Sequence, residues 1–128
     1  MVYSADMLRE KLTYLVGHQY NLCGRIGSVG HKIGEDLMEY CEDVVLEDLE
    51  EGLVTYLNKF GEDVSISDIA HRLGRYIGDA LDLIGRLSSS NRREHREYAE
   101  EEFRIVKDVV GACSEFIKSR IEEAKAKF

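Results

Sequence analysis

Apolar residues recur every three or four positions along the first third of the chain, which is the spacing of one face of an α-helix. The series comprises Leu8, Leu12, Leu15, Leu22, Ile26, Val29, Ile33, Leu37, Cys41 and Val44. The polar residue Gln19 interrupts it between Leu15 and Leu22, but seven residues make close to two turns and the phase is kept. The pattern predicts a long helical region over residues 1–45.

Four glycines lie inside this region, in the stretch CGRIGSVGHKIGED at residues 23–36: Gly24, Gly27, Gly30 and Gly34. A phosphate-binding loop would follow a strand and continue with Gly-Lys-Ser or Gly-Lys-Thr, and this stretch has neither feature. Each glycine inside a helix costs about 1 kcal/mol relative to alanine. We therefore expect a closely packed neighbouring helix to offset that cost. A kink or break between Gly24 and Gly30 also fits the pattern.

The last third of the chain shows a second long apolar series. Asn91 and Glu94 form a helix-start signal. The apolar positions that follow are Ala99, Phe103, Val106, Val110, Cys113, Ile117, Ile121, Ala124 and Phe128. This spacing predicts a long C-terminal helix over residues 91–128 with a coiled-coil-like seam. The helix can pack on the N-terminal region or form a dimer interface, and two such long stripes favour a homodimer.

Shorter helices are predicted between these two regions, over residues 46–90. Apolar residues near Leu53 form a short amphipathic helix that ends at the turn signal of Gly61. Ser65 stands three residues before Asp68, as in a capping box, and starts the next helix. We expect Gly74 to end that helix in a left-handed conformation and a third helix to follow.

This central segment, residues 46–87, resembles the helix-turn-helix core of winged-helix-type regulators. The resemblance is strongest in SISDIAHRLG and rests on Ile69, Ala70, Leu73 and Gly74, followed by Ala80, Leu83 and Ile84. It implies that two helices cross closely at Ala70, that Gly74 makes the tight turn, and that the segment binds DNA. The sequence departs from the family at Arg75, where an aliphatic residue is usual, and no strand pair follows to form a wing.

Every lysine-or-arginine position between Glu62 and Glu97 is occupied by arginine, a side chain suited to bidentate contacts with phosphates and bases. We predict that DNA is bound by Arg72, Arg75, Arg86, Arg92, Arg93 and Arg96. The sequence thus predicts a small helical DNA-binding protein of the transcription-regulator type.

An acidic segment offers other functions. Nine of the seventeen residues from Glu35 to Glu51 are acidic and none is basic. This is a solvated helix face, or a surface that docks a basic protein, in which case the chain is an oligomeric interaction module without catalytic activity. Carboxylates three residues apart could instead hold Mg²⁺, in a spacing similar to that of all-α nucleotide pyrophosphohydrolases of the MazG type. These pairs are Glu39/Glu42, Glu47/Glu50 and Asp79/Asp82.

The composition of the chain limits its fold class and its possible partners. The chain has 128 residues, is 44% hydrophobic and contains no proline, which fits one all-α domain. A net charge of −8 disfavours non-specific binding to nucleic acid or to an anionic membrane. The sequence predicts no membrane partner, a cytoplasmic location, no cofactor, no metal site and no catalytic residue. The three cysteines, Cys23, Cys41 and Cys113, are expected to be buried reduced thiols.

Overall fold

The computed structural model describes residues 2–27 and 32–127, and within these ranges the chain is all-α without any strand. The all-α prediction and the long terminal helices are confirmed. In chain order the elements are α1 (Ala5–Gly27), α2 (Lys32–Asp43), a π-helix (Val44–Thr55), α3 (Tyr56–Phe60), a 3-10 turn (Gly61–Asp63), α4 (Ile66–Ser88) and α5 (Arg93–Lys127). The described part contains no helix with both the length and the apolar character that crossing a membrane requires.

The N-terminal region is two helices packed side by side. Cys23 in α1 and Cys41 in α2 form a disulfide with a Cα–Cα distance of 5.6 Å. One continuous helix would separate these residues by about 27 Å. Of the two possibilities that the glycine pattern left open, a continuous helix and an interrupted one, the structure has the interrupted one, with α1 and α2 as separate helices. Val29 and Gly30 of the predicted pattern, and Phe128 of the C-terminal one, lie outside the described residues.

All three cysteines are buried, but the prediction that they are reduced is wrong for Cys23 and Cys41. Cys113 is a free thiol. Disulfides persist in oxidising compartments and are rare in the reducing cytosol. The bridge thus counts against the cytoplasmic location, which stays a prediction.

Only one of the predicted close approaches at a glycine is found among those described. A Cβ on Gly27 would overlap the Sδ atom of Met38 in α2, so this glycine lets the two helices approach each other. Gly24 is exposed, and a Cβ there would meet no described atom within 4 Å. The packing explanation is confirmed at Gly27, whereas no helix of the described chain packs closely on Gly24.

The central segment follows the predicted start and end signals up to Ser65. Gly61 adopts a positive φ of 54° after α3, and the Ser65 side chain accepts a hydrogen bond from the backbone N–H of Asp68 at the start of α4. The end predicted at Gly74 is wrong, because α4 runs without interruption from Ile66 to Ser88. The two helices expected on either side of Gly74 are one helix.

The core lies where α5 packs against both α1 and α4. The buried face of α5 is offset from the predicted stripe, since Phe103 and Ile121 are exposed. The buried residues of α5 are His95, Ala99, Glu102, Ile105, Val106, Val109, Ala112, Cys113 and Phe116. On α1 the stripe is confirmed and Gln19 belongs to it, because its side chain is fully buried.

Candidate functional site

Two of the six predicted DNA-binding arginines lie on the first half of α4 and contact the π-helix. Arg72 donates a hydrogen bond of 2.9 Å to the Gly52 carbonyl and stacks over the Tyr56 ring at 4.1 Å from its centroid. The Nε atom of Arg75 lies 3.2 Å from Oδ1 of Asp48. Both guanidinium groups therefore hold α4 against the π-helix.

Two further arginines, Arg86 and Arg93, form ion pairs within their own helices. Arg86 pairs with Asp82 at 3.1 Å and lies over the Tyr40 ring at 4.5 Å. Arg93 pairs with Glu97 at 3.1 Å near the start of α5. These exposed ion pairs contribute little to the free energy of unfolding. The acidic partner in each pair reduces the positive potential with which the arginine would attract a DNA phosphate.

The last two arginines lie at the connection between α4 and α5. Arg96 donates to the Ser90 carbonyl at 3.0 Å, and Arg92 lines a surface cavity of about 630 Å³ together with Arg86. Arg72 and Arg86 lie fourteen residues apart on one helix, which is about 21 Å. The structure thus brings Arg86 and Arg92 together but does not gather the six arginines into one basic surface. DNA binding through them stays a prediction.

A buried polar cluster joins the three longest helices. Gln19 of α1 donates from Nε2 to Oε1 of Glu102 in α5, and its Oε1 accepts a hydrogen bond of 3.1 Å from the Tyr76 hydroxyl in α4. All three residues have no exposed surface. The other carboxyl oxygen of Glu102, Oε2, has no hydrogen-bond partner among the described residues. Burial raises the pKa of Glu102 to about 8 and holds the Tyr76 pKa well above its ordinary value.

A second buried carboxyl group lies at the edge of a small cavity. Asp48 projects from the π-helix with only 2% of its side chain exposed. Burial, and then the neighbouring carboxyl of Asp79, raise its pKa to about 7, against the lowering effect of Arg75. The cavity has a volume of about 250 Å³ and is also lined by Glu47, Gly52, Asp68, His71 and Arg72. The lining of this cavity carries both positive and negative charges. Its two arginines, Arg72 and Arg75, are already engaged in contacts with the π-helix.

In two of the three carboxylate pairs proposed for Mg²⁺, one member is engaged by another side chain. Glu50 accepts a hydrogen bond of 3.0 Å from the Tyr20 hydroxyl, and Asp82 accepts one of 2.8 Å from the Tyr40 hydroxyl as well as pairing with Arg86. Among the described residues no three histidine, cysteine, aspartate or glutamate side chains are arranged to hold a metal ion. The geometry thus offers no support for the pyrophosphohydrolase alternative.

The remaining carboxylates of the acidic segment form an exposed surface on α2 and the π-helix. We call this surface the acidic face, and its members are Glu35, Asp36, Glu39, Glu42, Asp43, Glu47 and Glu51. None of the seven forms an ion pair with a described residue. Leu46 lies among them with 41% of its surface exposed. The acidic face therefore combines unneutralised charge with one accessible apolar side chain.

Comparison with protein-family models, with curated proteins and with solved structures finds no match to this chain. The assignment of a function therefore rests on the geometry described above.

Sequence reasoning missed three features of this geometry. The interruption of the apolar stripe at Gln19 was visible in the sequence. Its partner Glu102, however, is the last of three consecutive glutamates and looks like a surface residue. Asp48 gave no signal, because it stands in a run of acidic residues that are mostly exposed. The exposure of Leu46 gave no clear signal either, because the two residues directly before it, Val44 and Val45, are apolar and buried.

Proposed function

We propose that the protein is a helical interaction module that binds a basic, amphipathic helical segment of another protein through the acidic face. The observation that carries this proposal is the exposure of Leu46 among seven carboxylates that no described cation neutralises. A basic helix with apolar residues on one side would offer charge to the carboxylates and an apolar contact to Leu46.

The charge distribution supports an electrostatic mode of recognition. No lysine or arginine occurs between residues 35 and 51, and the whole chain carries a net charge of −8. Such a field attracts a basic partner over a distance of about one Debye length, roughly 8 to 10 Å at ordinary ionic strength. The carboxylates would set the rate and the specificity of docking, whereas Leu46 would slow dissociation.

The test is a titration with a fluorescent basic amphipathic helical peptide, followed by anisotropy over a series of salt concentrations. The variant E39Q/E42Q/E47Q should weaken binding and flatten its salt dependence. The variant L46S should weaken binding but keep the salt dependence, because it removes only the apolar contact.

A matched control comes from the exposed end of α5. The variant E115Q/E122Q/E123Q removes the same number of charges from a surface outside the acidic face. If it weakens binding as much as the acidic-face variant, or if L46S has no effect, the peptide responds only to net charge and the proposal is wrong. A parallel titration with duplex DNA tests the arginine prediction, which requires binding that falls steeply with salt.

A further inference from the structure

A second surface, on the outward side of α4, has features that no contact within the chain explains. Leu81 is 47% exposed, and Phe103 of the adjacent helix α5 is 49% exposed. Beside Phe103 lies a shallow groove of about 390 Å³, lined by the apolar residues Ile84, Ala99 and Phe103 and by the polar residues Ser88, Arg96 and Glu100. We call this surface the α4 face. It shares no residue with the acidic face.

The centre of the α4 face is flat. Gly74, Gly78 and Gly85 are exposed, and a Cβ on any of them would meet no described atom within 4 Å. Exposed glycines inside a long helix destabilise it, because alanine would be preferred at each position. Nothing within the described chain approaches these glycines closely, so they leave room for a backbone that comes from outside.

We propose that the α4 face forms a homodimer in which α4 packs antiparallel against α4 of a second copy. The first argument is the spacing of the residues on this face. Gly74, Gly78, Leu81 and Gly85 follow one another at steps of four, three and four residues. This series of steps is the same when the helix is read in the opposite direction.

A two-fold axis between residues 79 and 80 therefore matches the surface to itself. Leu81 of one copy lies over Gly78 of the other, where the missing side chain leaves space for it, and Gly74 faces Gly85. Each contact occurs twice, as an interface between identical copies requires. Antiparallel helices with small residues at the crossing can approach closely and bury the protruding leucines.

The charges beside the glycines complement each other in the same arrangement. Arg75 and Asp82 lie seven residues apart on one side of α4. Each already has a partner within the chain, Asp48 for Arg75 and Arg86 for Asp82, but 69% and 55% of their side chains remain exposed and accessible to a second copy. In the antiparallel pair, Arg75 of each copy lies beside Asp82 of the other. A parallel pair related by a two-fold axis would instead place the charged side of each helix beside the apolar side of the other, so that Arg75 and Asp82 of the two copies would not meet.

The opposite side of α4 supplies the apolar part of the interface. Ile77 and Ile84 are partly buried against the core, and Leu81 and Phe103 extend the same apolar surface outward. In an antiparallel pair, equivalent sides of the two helices meet. The apolar side of one copy therefore faces the apolar side of the other, and the charged sides meet across the axis.

This dimer differs from the one that the sequence predicts, which uses the seams of the terminal helices. In the structure most of these seams lie in the core, where α5 packs on α1 and α4. The outward side of α4 takes no part in these seams.

The experiment is sedimentation velocity of the full chain over a range from micromolar to millimolar concentration. The expected result is a reversible monomer–dimer equilibrium. The variant L81E should raise the dissociation constant about 30-fold or more, because it places a charge at the centre of the interface. The variant G78L should do the same by filling the space that receives Leu81.

The matched control for G78L is G17L, since Gly17 is also an exposed glycine inside a long helix with no described atom within 4 Å of a Cβ. It should leave the dissociation constant unchanged. Far-ultraviolet circular dichroism and thermal melting of each variant show whether it is still folded. Weaker dimerisation of a folded variant is then due to the interface itself.

A mixing experiment tests the register directly. The variants R75E and D82R should each dimerise weakly alone, because each repeats one sign of charge across the axis. An equimolar mixture should associate more strongly than either variant, since both charge pairs are then restored between the two chains. A wild-type chain that stays monomeric, or a dimer insensitive to both L81E and G78L, would overturn the proposal, and so would a mixture that associates no better than its components.

Discussion

Gln19 and Glu102 are hydrogen bonded at the centre of the helix bundle although 83 residues separate them in the sequence. With Tyr76 they form the polar contact between α1, α4 and α5. Buried polar groups that hydrogen bond to one another restrict which helix faces can pack together. Here the amide fixes the register of α1 against α5, and the carboxyl group makes that contact sensitive to pH.

Replacing Glu102 with glutamine should stabilise the protein at neutral pH. Burial raises the pKa of Glu102 in the folded protein from its ordinary value of 4.5 to about 8, so folding favours the protonated form. The contribution of Glu102 to the free energy of unfolding is therefore fully present below pH 4.5, is lost as the pH rises towards 8, and then stays constant. The effect at pH 7 is about 3 kcal/mol.

The measurement is urea denaturation of wild-type and E102Q proteins at pH 5, 7 and 9. The gain from E102Q should be small at pH 5 and largest at pH 9. Equal gains at all three values would show that Glu102 titrates normally in the folded protein.

The Asp48 carboxyl group should titrate near pH 7, and this value should depend on its neighbours. Replacing Asp79 with asparagine removes a carboxyl group that raises the Asp48 pKa, so the pKa should fall. Replacing Arg75 with alanine removes the cation that lowers it, so the pKa should rise. Carbon-detected NMR of the side-chain carboxyl groups follows both changes. D82N serves as the control, and a shift of Asp48 as large as that in D79N would contradict the assignment.

Removing the Cys23–Cys41 disulfide should destabilise the fold. The bridge closes a loop of 18 residues, and restricting the unfolded chain in this way contributes about 3 kcal/mol. Thermal melting with and without a reducing agent should show a drop of roughly 10 °C on reduction. The variant C23A/C41A should melt at the lower temperature under both conditions. A wild-type melting point that does not respond to reductant would show that the two thiols are not bridged.

Two glycines should respond oppositely to the same substitution. Gly61 has a positive φ of 54°, so G61A should destabilise the protein by about 1 kcal/mol or more. Gly24 is exposed inside α1 with open space at its Cβ position, so G24A should stabilise it by roughly 0.5 to 1 kcal/mol. Chemical denaturation measures both. Loss of stability in G24A would mean that this glycine has a partner outside the described contacts.

The helical class and the terminal helices could be predicted because the apolar spacing of α1 and α5 extends over many turns. The register of α5 could not, because its buried face includes Glu102 while Phe103 beside it is exposed. Hydrophobicity alone favours the face with the phenylalanine, and only the amide of Gln19, far away in sequence, accounts for the burial of the glutamate.

Gly74 illustrates a different limit. A glycine late in a short apolar repeat is a common helix end, and the sequence around it contains no signal against that interpretation. In the structure the helix continues, because Tyr76 and Ala80 beyond the glycine remain on the buried face and pack into the same core. A local rule cannot detect this continuation, since the packing partners lie on α1 and α5.

The free thiol of Cys113 has a practical consequence. With Cys23 and Cys41 bridged, it is the one sulfhydryl group in the chain, and it is buried between the long helices with a pKa that burial raises to about 12. A thiol reagent can modify it only while α5 is detached from its neighbours. Its rate of modification under native conditions therefore reports how often the bundle opens spontaneously, without any engineered probe.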